Sequence, residues 1–129
     1  MEWKYVKELK DKTAIDNIEE KSNIKIPEDL KQVIIKYNGG RPEKNVFDTT
    51  CSKERVMKSL ISYNKDDKEN IYLYTGFFDK KLLPFAVTEF GDLICYNKNT
   101  NEIELYLHEQ DKCEKICDNI LEFFNKLYI

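Results

Sequence analysis

At 129 residues with 41% hydrophobic and 35% charged side chains, the chain is long enough to bury one apolar core without metals or disulfides, and too polar for a membrane protein. Lys and Arg number 21 against 24 Asp and Glu, a net charge of −3, the opposite of the basic balance expected where nucleic acid is bound directly. The opening run MEWKYVKELKDK carries charge throughout and lacks the apolar stretch of a secretory signal, so a cytoplasmic location is expected. In that reducing compartment Cys51, Cys95, Cys113 and Cys117 read as small apolar residues.

Taken in chain order, Trp3, Val6 and Leu9 suggest a short helix or an ordered arm. Thr13 with Asp16 resembles a capping signal ahead of a short helix that buries Ala14, Ile15 and Ile18 and ends near Ser22. Residues 27–38 read as a clear helix: Pro27 suits its first position, Glu28 and Asp29 its positive end, and Leu30, Val33, Ile34 and Tyr37 form one apolar face. Asn38, Gly39 and Gly40 then stop it, since a Gly supplies the positive φ of a helix end. Residues 55–63 read as a strand running from an edge toward the interior. Ile71, Tyr74 and Phe78 favour a helix over 66–78.

From 82 to 107 the alternation of Leu83, Phe85 and Val87, the Gly91 turn, the run Leu93–Tyr96, and Ile103, Leu105 and Leu107 predict an antiparallel meander of three strands. Asp111 and Glu114 resemble a capping box. Behind them Cys113, Ile116, Cys117, Ile120, Leu121, Phe124 and Leu127 predict a closing helix through residue 127, packed on the meander. The expected architecture is α+β: N-terminal helices, an antiparallel meander and a C-terminal packing helix, in one domain over 1–129.

Charge is unevenly spread. Residues 86–111 hold six acids, Glu89, Asp92, Glu102, Glu104, Glu109 and Asp111, against the single base Lys98. Such a face is either solvated or presented to a partner. Glu102 and Glu104 fall on one strand face, and Asp92 on its glycine turn suits a docking group; Tyr96 and Tyr106 would add low-entropy contact area. Glu89, Asp92, Tyr96, Glu102, Glu104, Tyr106 and Glu109 are therefore the candidate partner-binding residues. No catalytic residue, cofactor or metal site is expected. His108 has no nucleophile set beside it by a recognised motif, the cysteines lack the short C-x2-C knuckle of zinc sites, and Gly39-Gly40 follow a helix where a phosphate loop would precede one.

The segment IEEKSNIKIPEDLKQVIIKYNGG (18–40) resembles the opening signature of the SUKH superfamily, whose members include the yeast cell-wall-assembly regulator and many bacterial immunity proteins. LLPFAVTEFGDLICY (82–96) is similar to that family's Pro-Phe-Ala strand, Gly-Asp turn and following strand, and IELYLHE (103–109) to its late strand ending in His-Glu. Thr88 and Asn97 depart from the pattern, and 43–80 shows little that is diagnostic. The resemblance implies a non-enzymatic immunity protein, an antitoxin of bacterial competition that neutralises a cognate toxin, expected to be a nuclease, by occluding its active surface. The acidic 86–111 segment agrees, because a groove that binds RNA or DNA is basic. The alternative it implies is a regulatory or scaffolding interaction module of the cell-wall-assembly regulator type.

Overall fold

The computed structural model describes residues 1–129. Its N-terminal arm carries a two-residue strand β1 (Trp3–Lys4), and this pairs antiparallel with β2 (Arg41–Pro42). Trp3 stacks flat on Tyr37, ring centroids 4.6 Å apart, and tilts against Phe124 at 5.9 Å, so the arm is ordered by aromatic packing and not by helix formation.

Helix α1 (Thr13–Ser22) starts one step earlier than Thr13 suggests. Asp11 Oδ1 accepts hydrogen bonds from Thr13 N at 2.9 Å and from Thr13 Oγ1 at 2.6 Å, so the upstream carboxylate satisfies the helix start and Thr13 itself donates. The helix ends at Asn23, whose φ of 56° is left-handed. In α2 (Glu28–Tyr37), Pro27 stands just before the helix with extended ψ of 142°, one position upstream of the expected place. Gly39 takes the positive φ, +70°. Gly40 is small for a steric reason, because the arm crosses against it. A Cβ there would lie 2.8 Å from the Tyr37 carbonyl and 3.0 Å from Val6 Cγ2.

A six-stranded antiparallel sheet follows in simple sequential order: β3 (Val46–Phe47), β4 (Arg55–Leu60), β5 (Leu82–Thr88), β6 (Leu93–Asn97), β7 (Ile103–Leu107) and β8 (Lys112–Cys117). The strand expected over 55–63 thus stops at Leu60 and runs between two neighbours. The helix expected over 66–78 begins only at Ile71, behind an Asn70 cap, and runs to Lys80 as 3-10 turns with a kink at Tyr74. Between them a buried polar knot of Asn38, Ser62, Asn64, Asp67 and Asn70 ties the end of α2 to this connection. Asn38 donates to the Lys7 carbonyl at 2.8 Å and accepts from Tyr63 N at 2.8 Å, which lets irregular backbone be buried without unpaired amides.

The closing element differs from expectation. Residues 112–117 form the edge strand β8, and only Ile120–Lys126 are helical, as α3, capped by Asn119 Oδ1 accepting from Glu122 N at 2.8 Å. Asp111 sits in the β7–β8 turn with φ of 48°, and Glu114 lies inside the strand, so neither belongs to a capping box. α3 still packs onto the sheet: Phe123 meets Phe85 edge-on at 5.7 Å and Phe47 at 5.8 Å, and Ile120 is buried. The sheet curls until its two edges nearly meet. The loop after β3 crosses to β8, where Thr50 N donates to the Lys115 carbonyl at 2.9 Å, while Thr49 and Ser52 hydroxyls donate to Glu114. No helix is long and apolar enough to cross a membrane.

Candidate functional site

The two turns β5–β6 and β7–β8 lie side by side at one end of the sheet. The first is a short connection: Thr88 N donates to the Asp92 carbonyl at 2.9 Å, Gly91 N to the Thr88 carbonyl at 3.1 Å, and Asp92 N to Thr88 Oγ1 at 3.0 Å. Gly91 takes φ of +85°, the left-handed residue that lets a short hairpin turn close.

Asp92 does not stand out on this turn as an exposed docking acid. It is 6% exposed, because its carboxylate reaches across to the neighbouring strand end. Oδ1 accepts from His108 N at 3.1 Å and lies 2.5 Å from His108 Nδ1, while Oδ2 is 3.9 Å from Arg55 Nη1. A carboxylate is the partner of Nδ1, so that nitrogen carries the imidazole proton and Nε2 is left toward solvent. An Asp–His pair of this kind can orient a general base. The adjoining cleft of about 270 Å³ is lined by Arg55, Phe90, Asp92, Leu107, His108, Glu109 and Gln110, and none of these offers a hydroxyl or thiol to Nε2. The pair acts as a brace between turns.

The other candidate residues are distributed over both sheet faces. Register pairs Cys95 with Glu104 and Leu93 with Tyr106, and across the next strand Glu104 with Lys115 and Tyr106 with Cys113, so these share the outer face. Tyr96 pairs with the core residue Ile103 on the opposite face; it is buried, its hydroxyl donating to Asn101 Oδ1 at 2.7 Å. Tyr106 is half-buried, with Phe77 edge-on at 4.9 Å and its hydroxyl donating to Asp111 Oδ1 at 2.7 Å. The two tyrosines therefore do not form one contact area.

Folding also brings cations to the acidic segment. Arg41 lies 3.3 Å from Glu89, Arg55 3.9 Å from Asp92, Lys80 3.7 Å from Asp111 and Lys115 2.7 Å from Glu102. All four come from outside 86–111, and Lys115 also meets Asp118 at 2.7 Å, so a segment acidic in sequence is offset in part by its surroundings in space. Glu104 accepts from Asn97 Nδ2 at 3.1 Å, and Glu109 has no Lys or Arg partner.

The cysteines are all free; Cys95 and Cys117 are buried and Cys51 and Cys113 exposed, so the expectation of core packing holds for two of them. Partial covering of its thiol, followed by the Glu104 charge, pushes Cys113 up to about 11, and burial pushes Cys117 to about 11 and Cys95 well up. These three are poor thiolates near neutral pH.

One residue escaped sequence reasoning. Phe90 is 79% exposed at the tip of the β5–β6 turn, beside Glu89 and over the cleft. A large apolar residue in E-F-G-D, where turn chemistry favours polar side chains, was the available signal.

The family model SUKH_6, described as SMI1-KNR4 cell-wall, matches residues 12–124, which span the helices, the sheet and this turn end. No curated protein and no solved structure gives a significant match.

Proposed function

Starting from the fact that the chain belongs to the SMI1-KNR4 cell-wall family SUKH_6, we propose that it is a protein-interaction module of regulatory or scaffolding type that docks a partner protein at the turn end of its sheet, with no bond made or broken. The observation that carries this reading is the Asp92 brace: a nearly buried carboxylate holds two turns in fixed relation, beside a cleft that supplies no nucleophile. Desolvating a carboxylate is costly, and here it is met by the His108 amide and imidazole and by Arg55. The result is a surface whose shape is set before a partner arrives. One apolar cluster runs from Leu9 to Leu127, which supports treating 1–129 as a single domain.

Neutralisation of a cognate bacterial toxin, a nuclease above all, is the second reading. Glu109, and Glu104, which meets an amide and a thiol but has no Lys or Arg partner, supply it with charges that a basic groove would meet. The pairing of the other four acids with Arg41, Arg55, Lys80 and Lys115 weakens long-range steering toward such a groove.

Affinity purification of the full chain from its native cells separates the two. The regulatory reading expects signalling or wall-synthesis proteins to be recovered by direct binding. The immunity reading expects the product of an adjacent toxin gene, together with rescue of growth when that toxin's tip is expressed. Recovery of nothing above an unrelated control protein would overturn both.

A further inference from the structure

Resting on the reading of the chain as a protein-binding module, we propose that Phe90 is the anchor of its interface: the β5–β6 turn inserts this ring into an apolar socket on a partner protein, and a Lys or Arg on the socket's rim meets Glu109.

Single exposed apolar side chains are common and need no explanation, and Tyr5 on the N-terminal arm, Leu73, Leu121 and the terminal Ile129 are exposed here as well. Phe90 differs in how it is held. Its turn is closed by three hydrogen bonds through Thr88, Gly91 and Asp92, and fastened sideways to the next turn by Asp92 and His108. The backbone under the ring is further tied down by Glu89, whose amide donates to the Val56 carbonyl at 3.2 Å and whose carboxylate meets Arg41 at 3.3 Å. Leu73, on the 3-10 turns behind the Asn70 cap, and Leu121, on α3, stand on helical backbone and not at the tip of a hairpin turn. An aromatic ring with two side-chain torsions on a locked turn loses little freedom when bound, and buried aromatic anchors dominate interface energetics.

Charge defines the partner. Around the ring Glu89 and Asp92 already face Arg41 and Arg55. Glu109 has an 86% exposed side chain and only the His108 imidazole near it, Nε2 at 4.0 Å. A cation on the partner therefore finds one uncompensated carboxylate beside the apolar anchor. An acidic partner, or an apolar surface without a cation, leaves that charge unmatched.

The test places the photoreactive residue p-benzoylphenylalanine at position 90, 73 or 121 of the full chain in its native cells, irradiates, and identifies the protein and residue attached. The purified pair is then titrated with wild type, Phe90→Ala, Glu109→Gln and Leu73→Ala, each shown to unfold at its expected midpoint. The proposal expects attachment from position 90 inside an apolar pocket bordered by Lys or Arg. It also expects Phe90→Ala to weaken binding by about 30-fold or more, and Glu109→Gln by roughly 2- to 5-fold, mainly through slower, less salt-sensitive association, with Leu73→Ala neutral. Attachment only from 73 or 121 would overturn the anchor while leaving the module reading intact, since a partner would still exist. Attachment to a second copy of the chain, attachment nowhere, or unchanged affinity of Phe90→Ala would also overturn the anchor; the module reading is decided separately by the native purification.

Discussion

Glu114 offers the sharpest test of how the sheet closes. Its side chain is nearly buried, at 7% residue exposure, and a single oxygen, Oε1, accepts from Thr49 Oγ1 at 2.8 Å and Ser52 Oγ at 2.9 Å. Ser52 Oγ in turn accepts from Arg55 Nε at 3.0 Å, so one carboxylate holds the 48–52 loop, β4 and β8 together. In Glu114→Gln the amide oxygen keeps the two acceptor positions and loses the charge. Hydrogen bonds to a charged group contribute about 1.5–3 kcal/mol each against about 0.5–1.5 for neutral ones, and relief of the buried charge offsets part of the difference. A loss of about 1 kcal/mol at pH 7 follows, or about 3–6 °C in Tm for a domain this size. Glu114→Ala also leaves two hydroxyls and a void behind, and should cost about 2–4 kcal/mol.

The same site carries a pH signature. Burial by itself pushes the Glu114 carboxyl up, but hydrogen bonds from Thr49 and Ser52 and the charges of Arg55 and Lys112 outweigh it, and the group titrates below its ordinary range. A folded-state value lowered in this way stabilises the fold fully above the unfolded value of about 4.3, and the contribution fades as pH falls through the folded value. Urea unfolding followed by far-UV circular dichroism at pH 7 and at steps below pH 5 should show the gap between wild type and Glu114→Gln narrowing in acid. A gap absent at pH 7, or one that stays constant down to acid, refutes the assignment.

Two further perturbations probe other joints. Tyr63 is fully buried and its hydroxyl has no hydrogen-bond partner, while burial drives its ionisation far above the ordinary range; Tyr63→Phe should therefore leave stability unchanged or raise it by up to about 1 kcal/mol, and a loss above about 1 kcal/mol in thermal unfolding would mean that the hydroxyl is satisfied after all. Gly40→Ala places a methyl 2.8 Å from the Tyr37 carbonyl and 3.0 Å from Val6, so it should cost about 1–3 kcal/mol and shift the fluorescence of Trp3 as the arm lifts; an unchanged midpoint and spectrum would show that the arm yields freely.

The parts of the fold legible in the sequence are those where local periodicity and local hydrogen bonding agree. α1, α2 and β7 announce themselves because each apolar stripe has one spacing; β5 and β6 are legible as apolar runs between turns, but the expected alternation of Leu83, Phe85 and Val87 does not keep one face, because β5 is buried at every position and its register shifts between Pro84 and Ala86, which sets Leu83 and Val87 on opposite faces. The 112–117 strand misleads for a physical reason. Its register against β7 shifts between Ile103 and Glu104, so the inward positions move from Glu114 to Cys117 instead of alternating. Continued into α3, the buried residues fall at 114, 117, 120 and 123, a near-helical spacing produced by a bulged strand feeding a helix. Nothing local marks Glu114 as inward, since the hydroxyls that make its burial tolerable lie more than sixty residues upstream.

The candidate site was harder to read than the fold, because charge in a sequence is a property of neighbours along the chain and charge on a surface is a property of neighbours in space. Residues 86–111 look like an acidic face only until the sheet is assembled; then Arg41 and Arg55, from the far strands, and Lys80 and Lys115, from flanking elements, arrive at four of its six acids. At separations of a few ångströms each such pair cancels most of its own field beyond about 10 Å, the screening length at 0.1 M salt, so steering depends on the charges left over. Glu109 is the most exposed of these, and it stands beside Phe90. A ring on one turn and an unmatched carboxylate on the turn braced to it are a smaller feature than a −5 stretch of sequence, yet they are what another protein would meet on approach.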